Sequence, residues 1–101
     1  MKMINMQIKA PEDYNKSTGK IEERNDIIDI ILDGDTYQVK EKIKEFKFEW
    51  VDFANQWEYT VSREWFKING YNFVRSVAKE FKCRPNIIGD QAKIAVQTMS
   101  K

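Results

Sequence analysis

The chain has no histidine and only one cysteine, Cys83, among its 101 residues. Histidine is the commonest general base and a frequent metal ligand, so its absence removes the usual route to hydrolytic or metal-assisted chemistry. A single cysteine cannot form an internal disulfide, which favours a reduced, intracellular setting. Cys83 has no histidine to activate it, so we interpret it as a buried or incidental thiol. We therefore expect no enzyme, no cofactor and no catalytic residue.

Long apolar runs are also missing. The first ten residues interleave lysine, asparagine and glutamine with apolar residues, whereas a secretion signal needs an unbroken apolar core. No stretch approaches the roughly 20 apolar residues of a membrane-spanning helix. These two features predict a cytoplasmic protein with no membrane partner.

Charge of one sign does not dominate, because 17 basic and 16 acidic residues leave a net charge of +1. The two signs are unevenly divided along the chain. Residues 1–35 carry five Lys or Arg against eight Asp or Glu, and residues 36–101 carry twelve against eight. Any attraction for anions must therefore come from the later part, and it would be moderate.

What the chain does contain suits one globular domain over residues 1–101, with 42% hydrophobic and 13% aromatic residues. Residues 27–61 form its predicted core unit, and residues 11–26 read as a polar loop. Residues 3–8 alternate apolar and polar positions, which predicts a strand. The β-branched run at residues 27–32 favours a second strand, although a short helix also fits.

Two helices are predicted. The first covers residues 36–46, buries Val39, Ile43 and Phe46, and is capped by Asp35 with Gln38 reaching back. The second covers residues 70–82, with Asn69 as its N-cap and Phe73, Val77 and Phe81 as its inner stripe. Residues 65–68 fit either the end of a strand or the start of this helix. Residues 87–96 suggest a final strand pair, with a helix over residues 91–99 as the alternative.

A hairpin is predicted from the aromatic alternation at residues 46–50 and 57–61. Pairing Trp50 with Trp57 would set Glu49 against Glu58, a like-charge pair that is destabilising. We therefore prefer the register that pairs Phe48 with Trp57. Together these elements predict an α+β fold, an antiparallel sheet of four to five strands with two helices packed on one face. Its core should bury Ile43, Phe48, Trp57, Phe73 and Val77.

Part of the core unit resembles a known family. The segments are Val39-Lys40-Glu41-Lys42-Ile43-Lys44, Phe48-Glu49-Trp50 and Gln56-Trp57-Glu58-Tyr59. They resemble a small uncharacterised β-α-β-β module of phage and plasmid proteins, over about a third of the chain. The chain departs from that family at Lys47, where the family usually has glycine. The resemblance implies a mobile-element origin and a place in the host cell cytosol, and it implies no chemistry.

Three features are candidate sites. The acidic cluster Asp26, Asp29, Asp33 and Asp35 lacks the order of a calcium loop, and we interpret it as structural. Arg75, Lys79 and Lys82 share one predicted helix face and Arg84 follows, a stripe that fits phosphates, an acidic protein surface or simply solvent. Among the many aromatic residues, Phe53 falls on the predicted hairpin tip, and Trp65 and Tyr71 flank the unassigned junction. Exposed aromatics are typical anchors of protein interfaces and also stack on unpaired bases.

These features predict a non-enzymatic phage or mobile-element accessory protein that docks on a host or phage protein. The role that these features favour is inhibition of a host defence or nucleic-acid-handling complex, in the manner of an anti-CRISPR protein. The alternative is direct nucleic-acid binding through Arg75, Lys79, Lys82 and Arg84 together with an exposed aromatic. The sequence pI of about 7.8 favours the first hypothesis, because basic nucleic-acid-binding domains typically have a pI above about 9.

Overall fold

The computed structural model describes residues 3–101, and this part of the chain has an α+β fold with three α-helices and seven strands. The strands are β1 (Ile4–Lys9), β2 (Glu12–Asn15), β3 (Lys20–Glu23), β4 (Ile27–Gly34), β5 (Glu49–Val51), β6 (Gln56–Ser62) and β7 (Pro85–Ile88). The helices are α1 (Lys40–Glu45), α2 (Arg63–Phe81) and α3 (Asp90–Thr98). Short 3₁₀ turns at Tyr37–Val39 and Asp52–Ala54 precede α1 and β6. The predicted fold class is confirmed.

The main sheet has five strands in the order β5-β6-β4-β1-β7. Its first three pairings are antiparallel, whereas β7 lies parallel to β1. The expectation of a purely antiparallel sheet is therefore corrected at one edge. The reason is α2, whose 19 residues carry the chain back along the sheet before β7 begins.

One face of this sheet carries the core. Ile28, Ile30 and Leu32 of β4 pack in a single buried cluster with residues from all three helices. The helices therefore share one face, as predicted, and α3 is an addition to the two expected. The cross-strand partners on the opposite face are mostly polar, and Asp29 pairs there with Thr60. An antiparallel sheet with one buried and one solvent-facing side shows this alternation.

Four of the five predicted core residues are buried, and Phe73 is the exception. Ile43, Phe48, Trp57 and Val77 are each less than 7% exposed, whereas Phe73 is half-buried. Phe73 lies in an aromatic cluster, 4.9 Å from the ring centroid of Tyr59 and 5.9 Å from that of Phe48. The residues that α2 buries are Phe66, Gly70, Val74, Val77 and Phe81.

The start of α2 explains this shift of the buried face. The helix begins at Arg63, because the Ser62 hydroxyl accepts a hydrogen bond from the Trp65 backbone N–H at 3.0 Å. The prediction of Asn69 as the N-cap is wrong. Asn69 lies inside the helix, where its side-chain amide donates to the Trp65 carbonyl at 3.3 Å. Residues 65–68 are helical, which resolves the alternative left open for them.

The segment predicted as a polar loop is a two-stranded hairpin, β2 with β3, which we call the arm (Glu12–Glu23). Every residue of the arm except Asn15 and Glu23 is exposed, so no apolar face marks its strands in the sequence. The arm is attached to α3 by Glu23, whose carboxylate accepts hydrogen bonds from the backbone N–H groups of Asp90 (3.3 Å) and Gln91 (2.9 Å). Glu23 therefore caps the N-terminus of α3.

The turns around α1 also differ from the prediction. Asp35 and Gln38 form no capping box, because a 3₁₀ turn with Thr36 as its N-cap comes first and has no side-chain cap. Lys47 lies between α1 and β5 with φ of 75°. That left-handed conformation is one that favours glycine.

The β5–β6 register is the one that sequence reasoning rejected. Trp50 pairs with Trp57, and Glu49 pairs with Glu58. The two indoles make an edge contact with centroids 5.3 Å apart, while Glu58 accepts a hydrogen bond from the Gln56 amide at 2.7 Å. Aromatic packing on the core side therefore outweighs repulsion between carboxylates on the solvent side.

The last two elements are one strand and one helix. Residues 85–88 form β7, and residues 90–98 form α3. The expected strand pair over residues 87–96 is thus wrong in its second half, and the alternative helix over residues 91–99 is right apart from its ends. Ala92 and Ala95 pack into the core from α3, at the i, i+3 spacing of one helix face.

Candidate functional site

Four aromatic residues lie at one end of the main sheet. Trp57 of β6 pairs with Leu32 of β4 on one side and with Trp50 of β5 on the other. Because β4 runs antiparallel to β6, the last residues of β4 and the β5–β6 tip lie at the same end. Tyr37 follows the end of β4 along the chain, and Phe53 lies in the β5–β6 tip. We call Tyr37, Trp50, Phe53 and Trp57 the aromatic end.

A groove of about 460 Å³ opens at the aromatic end. Its floor is Trp57, which is only 6% exposed and whose indole N–H donates to the Thr36 hydroxyl at 3.1 Å. Trp50 forms one wall, and its indole N–H donates to Asp52 at 3.3 Å. Tyr37 forms another wall. Both indole N–H groups are thus hydrogen-bonded.

Lys40 and Lys44 line the same groove from α1. Their spacing of four places both side chains on one face of the helix. The Lys40 ammonium lies 4.2 Å from the centroid of the Tyr37 ring, a cation–π contact. Lys44 is 3.5 Å from Glu41. The groove therefore combines aromatic walls with two ammonium groups.

Phe53 is 95% exposed at the tip of the β5–β6 hairpin. The tip turns through the 3₁₀ turn Asp52–Ala54 and Asn55, which adopts a left-handed conformation with φ of 54°. This exposure shows that Phe53 does not fold back over Trp50 to form a small core. Phe53 is free to contact a partner.

The other two predicted aromatic anchors lie in α2 and are half-buried. Trp65 packs against Tyr59 and Phe73, with centroid distances of 5.8 Å and 5.7 Å. Its ring therefore belongs to the interior cluster. Tyr71 sits one turn before Arg75 on the same helix row.

The predicted basic stripe is divided by the end of α2. Arg75 and Lys79 are exposed on the helix. Lys82 lies beyond the last helical residue in a left-handed conformation, with φ of 53°, so it does not continue that face. Lys82 and Arg84 instead line a separate groove of about 660 Å³ beside β1. The structure thus distributes the seven predicted site residues over the hairpin tip, two faces of α2 and this second groove.

Cys83 and the acidic cluster are the remaining candidate groups. Cys83 is half-buried, and burial raises the pKa of its thiol, which disfavours the reactive thiolate at neutral pH. Among residues 3–101 no group of three or more His, Cys, Asp or Glu side chains is placed to hold a metal ion. Within the same range no helix is long and apolar enough to cross a membrane.

Sequence reasoning missed Tyr37, Trp50, Lys40 and Lys44 as site residues. One signal was available for Tyr37, which is an aromatic residue outside the buried stripe of the predicted first helix. Trp50 gave no such signal, because an alternating aromatic in a hairpin normally packs inward. Trp50 is 43% exposed because it lies on an edge strand.

Comparison with known proteins adds no relative. No protein-family model matches this chain, no curated protein matches it, and no solved structure matches it. The resemblance to the phage and plasmid module therefore stays a prediction.

Proposed function

We propose that this protein is a non-enzymatic binding protein that docks on another protein through the aromatic end. The observation that carries the proposal is the 95% exposure of Phe53. A phenylalanine in this position adds nothing to the core and exposes its whole ring to water. Aromatic side chains contribute large contact area with few rotatable bonds, which is why they dominate interface energetics.

Two further exposed aromatics support the same surface. Tyr37 is 74% exposed and Trp50 is 43% exposed, and both lie at the end of the sheet that carries Phe53. Scattered single apolar residues on a surface are ordinary, whereas several together are typical of an interaction site. The near-neutral charge of the chain also suits a protein partner better than a polyanion.

The biological setting of this proposal rests on the family resemblance alone. On that basis the protein is a phage or mobile-element accessory protein of the host cytosol, and its partner is a host or phage protein. Inhibition of a host defence or nucleic-acid-handling complex is the role that this setting favours.

The second candidate function is nucleic-acid binding by the outer face of α2. Tyr71, Arg75 and Lys79 follow one another at intervals of four, so an aromatic ring and two cations form one row. Such a row can stack on a base and contact phosphates. Against it stands the separation of Lys82 from the row by the end of the helix.

Capture from a nuclease-treated lysate tests the docking proposal. Three baits are compared, the wild type, Phe53→Ala, and Ile68→Ala as a matched control, since Ile68 is an exposed apolar residue elsewhere, on α2. We expect one stoichiometric protein with the wild type and with Ile68→Ala, and its loss with Phe53→Ala. Disappearance of every partner after nuclease treatment would favour the nucleic-acid alternative. Undiminished capture by Phe53→Ala would remove the hairpin tip from the functional surface.

A further inference from the structure

We draw no further inference here: the strongest candidate, the groove at the aromatic end of the main sheet, belongs to the docking surface already proposed, and nothing in residues 3–101 shows what covers it, because Lys40 and Lys44 are offset there by Asp35, Glu41 and Asp52.

Discussion

Gly34 joins β4 to the turn that leads to Tyr37, and its backbone adopts φ of 94°. A Cβ atom added there would lie 2.5 Å from the Met3 carbonyl oxygen. That oxygen already accepts a hydrogen bond from the Asp35 N–H at 2.9 Å, so it is not free to move. The position therefore combines backbone strain with a close approach, and glycine is the residue that fits.

Gly34→Ala should lower the free energy of unfolding by more than about 2 kcal/mol, because the backbone strain and the steric clash with the Met3 carbonyl oxygen add. Gly19→Ala is the matched control. Its φ is 70°, but no atom lies within 4 Å of the added Cβ, so strain alone should cost about 1 kcal/mol. Urea denaturation measures both variants. Equal losses would show that the Met3 carbonyl moves away without penalty.

Asp29 is a carboxylate on the solvent-facing side of the sheet, yet it is only 8% exposed. Burial raises its pKa, the hydrogen bond from Thr60 opposes that shift, and the charge of Glu58 adds to it. Since the pKa is higher in the folded state, ionisation of Asp29 disfavours folding. The stability linked to this group is greatest below its ordinary pKa, near 3.8, and is lost as the pH rises through the raised value.

Asp29→Asn should therefore be at least as stable as the wild type at neutral pH, since the amide oxygen can still accept from Thr60. The difference in unfolding free energy between variant and wild type should shift in favour of the wild type as the pH falls to about 4. Urea denaturation at several pH values measures it. A variant that is less stable at neutral pH by an amount independent of pH would contradict this account.

At the level of elements, the arm is the least predictable part of the fold and the easiest to perturb. A two-stranded sheet has little stability alone, and the arm sets Glu12 against Glu23 and Asp13 against Glu22 across its strands. The contact of Glu23 with the N-terminus of α3 fixes it to the body of the protein.

Glu23→Ala should release the arm. Hydrogen exchange should become faster for the amides of residues 12–23, while exchange in β1, β4 and β6 stays slow. Glu12→Ala is the control, because it removes the same like-charge pair and keeps the cap. It should leave exchange in the arm unchanged or slower. If hydrogen exchange in the arm also became faster in Glu12→Ala, repulsion between Glu12 and Glu23 would not be destabilising the arm.

Elements with a clear apolar period could be predicted, and those fixed by single contacts could not. The strand at residues 3–8 and the first helix carry such a period. The arm does not, because both of its faces meet water. The start of α2 depends on the cap that Ser62 provides. Asn69 is an equally good capping residue by type, so the sequence alone does not show which of the two begins the helix. The β5–β6 register depends on the contact between Trp50 and Trp57. The stabilisation from that contact outweighs the repulsion between the paired carboxylates of Glu49 and Glu58.

At the scale of the whole molecule, the sheet separates two ends of different character. The arm carries more acidic than basic residues, and the opposite end carries the aromatic groove with Lys40 and Lys44. The uneven charge along the sequence anticipates this arrangement. Membership of the groove could not be predicted, because Tyr37, Trp50 and Trp57 come from three separate elements that only the register brings together. Phe53 could be predicted, since turn-forming neighbours alone place it at a tip.

The central claim is that Phe53 at the aromatic end serves binding and not folding, and one paired measurement on Phe53→Ala tests it. We expect an unfolding free energy within about 0.5 kcal/mol of the wild type, together with a loss of at least about 2 kcal/mol in affinity for the captured protein. Phe48→Ala calibrates the stability assay, because Phe48 is 3% exposed and its truncation should cost about 3–5 kcal/mol. A Phe53→Ala variant that loses stability but binds the partner as the wild type does would contradict the account.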